Sequence, residues 1–246
     1  MVSPTVTDDP TAAAVAAVDR DAARRAYVDQ GRMLFLDPFL KPPLLRPLQE
    51  EAAALRGELH RNYIPRHKKG GSVSYYTLCE RAPAILALYR SPALLDLVAA
   101  ITGHAVQRCP DGDPHACALY YYTEAGDHIG FHYDTSYYRG LRFTLLVGLE
   151  DRSTSRLACH LHTREPDTPV EELSLATPPG CMVLFDGDAL YHAVTPLGEG
   201  EERVMLTLQY VTDPRMGPLH RFVSNMKDAI AYFGLPALAG RHREPM

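Results

Sequence analysis

His132, Asp134 and His192 offer two imidazoles and one carboxylate, with only Tyr133 between the first two. On an extended strand residues i and i+2 project to the same side, so His132 and Asp134 point together and Tyr133 points away. His192 follows 60 residues later, within Ala189-Leu-Tyr-His-Ala-Val194. On a strand beside the first, it completes a three-ligand face. That donor set suits Fe(II) and leaves coordination positions open. Arg203, eleven residues past His192 at the head of an apolar run, adds a permanently charged planar fork matched to a carboxylate. A 2-oxo acid would use both features: keto and carboxylate oxygens on the metal, the far carboxylate on Arg203, and one position left for O2. Thr144 and Thr207 are candidate hydroxyl donors to that far carboxylate. Tyr121, in Tyr120-Tyr121-Tyr122, is expected to face the same cavity while its neighbours pack outward.

Each of these residues has an ordinary alternative when taken alone. An H-x-D triplet arises by chance, a single histidine is commonly a satisfied core residue, and an arginine at a strand start is commonly solvated. Their combination, in this order and within a strand-rich interval, carries the metal reading. His128, His160 and His162 compete for the ligand role. His160-x-His162 also aims two imidazoles to one side, but it lacks a third ligand and reads as a surface strand. The chain holds no H-E-x-x-H, G-x-S-x-G, G-x-x-x-x-G-K-[ST] or G-x-G-x-x-G pattern. Zinc protease, serine hydrolase, phosphate-loop and dinucleotide chemistries therefore drop out as first readings.

The elements that must position these residues can be read from periodicity. Residues 1–10 have little to bury and are expected to form a loose tail, with 11–246 as one domain. Ala12 to Gln30 is alanine-rich and predicts one helix stopping near Gly31. Met33 to Leu36 predicts an outer strand, and Pro42 to Arg56 places Leu44, Leu45, Leu48, Ala52 and Leu55 on one helical face. Tyr63 to Tyr76, with Pro65, a basic run and Gly70-Gly71, reads as a mobile loop. Ala82–Tyr89 and Pro92–Ile101 predict two further helices. The period then changes to short β-rich runs: Ala118–Thr123, Arg142–Leu149, Leu157–Leu161, Cys181–Phe185, Leu190–Val194 and Val204–Val211. The expected class is therefore mainly β with flanking α, a jelly-roll core over about 117–212 with N-terminal helices packed outside. A last helix is expected from Asp213 to Gly234.

At 246 residues the chain is long enough for one filled core and short for two. A formal charge of -5, with basic residues dispersed apart from Arg66-His67-Lys68-Lys69, favours neither nucleic acid nor an anionic membrane as partner. No apolar run reaches the ~20 residues needed to span a bilayer, and the N-terminus does not read as a signal sequence, so a cytoplasmic location is expected. The five cysteines, an odd number without a C-x-x-C pair, read as reduced and mostly buried thiols. The number of copies in the working molecule is left open.

From Ala118 to Val211 the sequence resembles the Fe(II)/2-oxoglutarate-dependent dioxygenases, whose H-x-D…H triad and trailing arginine fall here on His132, Asp134, His192 and Arg203. A narrower resemblance is to the bacterial group of free-amino-acid (lysine-type) radical halogenases and their hydroxylase relatives. It rests on His67-Lys-Lys-Gly-Gly-Ser-Val-Ser-Tyr-Tyr76, Gly126-Asp-His-Ile-Gly-Phe-His-Tyr-Asp134 and Phe222-Val-Ser-Asn-Met-Lys-Asp228. The resemblance implies a double-stranded β-helix core, Fe(II) as cofactor, and 2-oxoglutarate and O2 as cosubstrates. In the halogenases a small residue replaces the carboxylate and chloride takes its place on the metal. Asp134 stands at that position here, which implies hydroxylation with release of succinate and CO2.

The expected substrate is a small free amino acid, basic or aliphatic. Its carboxylate needs a cationic or hydroxyl partner, for which the Arg66 to Ser72 loop, closing as a lid, is the candidate. Glu124, Asp127 and His128 are candidates to meet an amine, and Asn225 to reach in from the C-terminal segment. With no tryptophan in the chain, the pocket has no indole wall. Two rival readings are a carrier-bound or larger natural-product intermediate as substrate, and a jelly-roll binding protein without oxidative turnover.

Overall fold

The computed structural model describes Asp9 and residues 11–215. Helices α1 (Ala12–Ala16) and α2 (Arg20–Asp29) lead to strand β1 (Met33–Leu36), helix α3 (Pro42–Ala54) and the hairpin β2 (His60–Ile64) and β3 (Lys68–Val73). Helices α4 (Tyr75–Arg81), α5 (Pro83–Arg90) and α6 (Pro92–Thr102) precede β4 (Gln107–Arg108), β5 (Cys117–Tyr122) and β6 (His128–His132). The rest of the described chain is β7 (Arg142–Arg152), β8 (Leu157–Leu161), β9 (Glu171–Leu175), β10 (Met182–Asp186), β11 (Tyr191–Val194) and β12 (Glu202–Val211).

All pairings are antiparallel, in the order β1-β10-β7-β12-β5-β3-β6-β11-β8-β9, with β2 on β3 and β4 on β12. Strand β3 pairs with both β5 and β6, so it joins a large sheet to a smaller one and the whole curls into a jelly-roll half-barrel. The helices pack on the outer face of the large sheet. There Leu45, Leu48 and Ala52 of α3 share one core with Leu145 and Val147 of β7 and Leu206 and Leu208 of β12. Polar ties fix that layer: Gln49 Nε2 donates to Leu149 O (2.8 Å), and the Glu51 carboxylate accepts from Ala84 N (2.7 Å) and Ile85 N (2.9 Å) at the start of α5. The mainly-β class with external helices is as expected.

Several local expectations are corrected. The single helix over Ala12 to Gln30 is two, because Asp19 accepts from Ala22 N (3.0 Å) and caps α2 as a fresh start. The stretch Tyr63 to Tyr76 is no loop: its two ends pair as β2–β3, only Pro65-Arg66-His67 turn, and Tyr75 and Tyr76 already belong to α4. Gly71 reads as a breaker but marks a tight contact, since a Cβ there would lie 2.7 Å from Leu59 Cδ1. Strand β9, whose only apolar side chains are Leu173 and Leu175, is too short and too polar at its start for periodicity to mark it. Asp213–Arg215 are not helical; the remainder of that expected helix, Asn225 and, apart from Asp9, the N-terminal tail lie outside the described residues. The five cysteines are free, with Cys79 exposed and the other four buried. Burial pushes the Cys109 and Cys159 thiols up to about 12. Among the described residues no single helix is long and apolar enough to cross a membrane.

Candidate metal and oxo-acid site

Strands β6 and β11 are neighbours, and their register sets His132 directly opposite His192. The register shifts between His192 and Val194, and Asp134 follows just beyond the end of β6. The ligand atoms of His132, Asp134 and His192 lie within 4.8 Å of one another. His192 is 6 % exposed, while the side chains of His132 and Asp134 are each 24 % exposed. All three line one cavity.

Both imidazoles are held in the tautomer a metal needs. Nδ1 of His132 lies 2.8 Å from Gly130 O, and Nδ1 of His192 lies 3.2 Å from Leu190 O. A carbonyl can only accept, so each Nδ1 carries a proton and each Nε2 is the nitrogen left to face a metal. The carboxylate is aimed in the same way. Thr144 Oγ1 donates to Asp134 Oδ2 (2.8 Å), leaving Oδ1 on the His132 side, 3.3 Å from its Nε2. Burial raises the Asp134 pKa, but the His132 hydrogen bond and the charges of His192, His132 and Arg142 outweigh it and hold the carboxyl below its ordinary range. The Nε2 proton that His132 shares with Asp134 is the one a bound Fe(II) would displace, and two imidazoles with an ionised carboxylate are a donor set that fits that ion.

Gly187 lets the site close. A Cβ there would fall 2.6 Å from Asp134 O and 2.9 Å from Asp134 Cβ, so only glycine admits the ligand loop this near to β10. Nothing in the sequence pattern separates Gly187 from an ordinary turn glycine.

The cavity has a volume of about 540 Å³. Four residues of β12 face it in alternation, Arg203, Met205, Thr207 and Gln209. Arg203 is 1 % exposed, yet its Nε has no hydrogen-bond partner among the described residues, and Nη1 has only a 3.4 Å contact with Ser155 Oγ. Burial lowers its pKa, while Tyr122 and Asp151 favour the charged form. A guanidinium remains charged even so. A buried cation facing a cavity without a salt bridge among the described residues is a socket for an anion.

The other expected site residues divide. Thr207 lines the cavity, as does Thr144, whose hydroxyl bonds the Asp134 carboxylate instead of serving Arg203. Tyr121 is corrected: its hydroxyl donates to Ala52 O of α3 (2.7 Å), and Tyr120 and Tyr122 are the ones that line the cavity. The alternation holds with the opposite phase, because the helices, not the barrel, claim the central ring. Five expected substrate contacts also fall elsewhere. Arg66 is exposed at the β2–β3 turn, with φ of 64°, and Ser72 Oγ is buried, accepting from Asn62 Nδ2 (2.9 Å). Glu124 pairs with Arg61 (3.0 Å) and Lys69 (3.4 Å). His128 turns its Nδ1 to Gly126 O (2.8 Å). Asp127 is fully buried and structural, accepting from Arg61 through both oxygens (2.6 and 2.9 Å) and from Thr123 N and Glu124 N. His160 and His162 stay out of the cavity; both are half-buried, and His162 lies just past the end of β8. Lys68, inside the Arg66 to Ser72 stretch offered for a carboxylate, does line the cavity, and sequence reasoning missed Arg142 and Gln209, which line it too.

No family model matches the chain, and no curated protein matches it in sequence. Comparison with solved structures is informative. The epimerase SnoN of nogalamycin biosynthesis, a non-haem alpha-ketoglutarate-dependent enzyme, superposes with a TM-score of 0.66 at 12% identity, over 78% of this chain and 80% of its own. The carbocyclase SnoK from the same biosynthesis gives 0.65 at 13%, over 86% and 92%. A prolyl-4-hydroxylase from Pseudomonas putida gives 0.60 at 19%, over 79% and 98%. The chain has the fold of the 2-oxoglutarate-dependent non-haem iron oxygenases. SnoN has also been solved in complex with Fe3+, alpha ketoglutarate and a nogalamycin compound. Since one fold here spans epimerisation, carbocyclisation and hydroxylation, the reaction of this chain has to be argued from its own cavity.

Proposed function

We propose that the chain is an Fe(II)/2-oxoglutarate-dependent hydroxylase that inserts oxygen into an unactivated C–H bond of a small free amino acid, forming succinate and CO2. The observation that carries this reading is Arg203, buried and lacking a salt bridge among the described residues, in the same cavity as a two-histidine, one-carboxylate cluster. A metal-binding protein without turnover has no use for that second, permanently charged socket.

His132, Asp134 and His192 would hold the metal, which when bound supplies oxidative activation of O2 at the expense of the 2-oxo acid. Arg203 would bind the far carboxylate of 2-oxoglutarate, with Thr207 two inward positions further along the same strand. Thr144 holds Asp134 by its outer oxygen so that the other stays turned inward. Tyr120, Tyr122, Leu146 and Phe185 wall the cavity and keep water from the bound reactants. Asp134 occupies the place that a halide needs in the halogenases the sequence resembles, so hydroxylation is the reaction expected here.

The test is anaerobic reconstitution with Fe(II) and 2-oxoglutarate, then exposure to air with a panel of free amino acids, scoring succinate and product mass. A mass gain of one oxygen coupled to succinate supports the reading. Turnover only on carrier-bound or larger amides would transfer it to a tailoring substrate, and absence of 2-oxoglutarate binding would remove it.

A further inference from the structure

We infer that Arg142 is the anchor for the substrate's own carboxylate, at the end of the cavity away from Arg203; this rests on the oxygenase reading proposed above. Arg142 opens β7, is 9 % exposed and lines the cavity. Its Nε donates to Gln209 Oε1 (3.0 Å), which fixes the plane of the guanidinium. No acid among the described residues lies within ion-pairing distance of it, and the two terminal nitrogens have no hydrogen-bond acceptor among those residues. The nearest negative charges are already committed. Asp134 belongs to the metal cluster, and Asp113 accepts from Tyr138 Oη (2.7 Å) and His115 N (2.8 Å).

Gln209 and Arg203 face the same cavity from one strand, and Arg142 stands opposite Val211 of that strand, eight residues from Arg203, which separates the two guanidinium roots by roughly 25 Å. One 2-oxoglutarate cannot serve both. The cavity thus has a cationic socket toward each end, with the metal cluster reached from Arg142 through Gln209, Thr144 and Asp134. The single Thr144 hydroxyl proton lies between Asp134 Oδ2 (2.8 Å) and Gln209 Oε1 (3.1 Å), so the Arg142 side is joined to the carboxylate ligand by one continuous polar chain. Lys68 adds a further positive charge on the cavity wall, its Nζ 4.8 Å above the Tyr120 ring and without an acid partner among the described residues. Three cations against two carboxylates line the space, and a bound Fe(II) would raise the excess. A buried guanidinium offering two parallel donors, in a cavity of net positive charge, selects a carboxylate over its neutral amide.

The test is calorimetric titration of the anaerobic Fe(II)·2-oxoglutarate-loaded protein with L-lysine, L-arginine, L-leucine and L-isoleucine and with the carboxamide of each. At least one acid should bind, and its carboxamide should bind at least ~10-fold more weakly. Arg142→Gln should weaken the acid on the order of 100-fold and erase the discrimination against the amide. Arg142→Lys should retain part of both, and Lys68→Gln should cost less than Arg142→Gln. The 2-oxoglutarate affinity, titrated separately on each variant, should stay within about 3-fold of the parent. Equal binding of acid and carboxamide, parental affinity in Arg142→Gln, or no binding by any of the four acids would overturn the assignment. Failure of the unaltered protein to bind 2-oxoglutarate would instead strike the proposed function.

Discussion

At the scale of single residues, the orientation of each metal-binding side chain has an identifiable cause. Backbone carbonyls set the histidine tautomers, and Thr144 sets the rotation of Asp134. Thr144→Val keeps the shape and removes the hydroxyl. It should weaken Fe(II) binding by roughly 10-fold, in keeping with other groups that orient a ligand, while 2-oxoglutarate affinity at saturating iron stays near the parent's. Competition against a chelator of known affinity measures the first quantity, and unchanged iron affinity would mean that Asp134 is aimed by the backbone alone. The residues that form the cluster were legible in the sequence because H-x-D on an extended segment has one geometric meaning. Arg142 and Gln209 were not legible, because an arginine opening one strand and a glutamine near the end of another look solvated until the curl of the sheet turns both inward.

At the scale of elements, the hairpin β2–β3 is tied to the turn between β5 and β6 by the Arg61–Asp127 pair. Asp127 is fully buried, and burial raises its pKa; the bonds from Arg61, Thr123 and Glu124 outweigh that and hold it below the ordinary carboxylate range. A folded-state pKa below the unfolded one contributes stability above about pH 4, and that contribution is lost as pH falls through the folded value. Asp127→Asn should therefore cost about 1–3 kcal/mol at neutral pH and should flatten the acid side of the stability curve, as read from thermal midpoints between pH 3 and 7. A variant with the parent's midpoint throughout would show that the pair adds nothing. In sequence this hairpin resembles a mobile loop because proline and paired glycines usually punctuate chains. Here Pro65 is confined to the turn, and Gly71 sits where another side chain has no room.

At the scale of the whole molecule, the helical layer covers one face of the large sheet and leaves the other lining the cavity. Tyr121 and its neighbours on β5 display this division, with the central ring bonded to α3 and Tyr120 and Tyr122 turned inward. Tyr121→Phe should lower stability by about 1 kcal/mol and leave 2-oxoglutarate affinity unchanged; a large loss of that affinity would return Tyr121 to the cavity. The mainly-β barrel with external helices follows from the change of period near residue 117. The phase of β5 does not, since a run of three tyrosines carries no contrast between its two faces.

The most direct test of the central claim is anaerobic titration of 2-oxoglutarate into the Fe(II)-loaded protein, followed by the visible absorption that chelation of a 2-oxo acid to ferrous iron produces, in the parent chain and in Arg203→Ala. The parent should develop the band and saturate, and Arg203→Ala should need at least ~10-fold more 2-oxoglutarate to reach it. A parent without the band, or an Arg203→Ala titration identical to the parent's, would contradict the account.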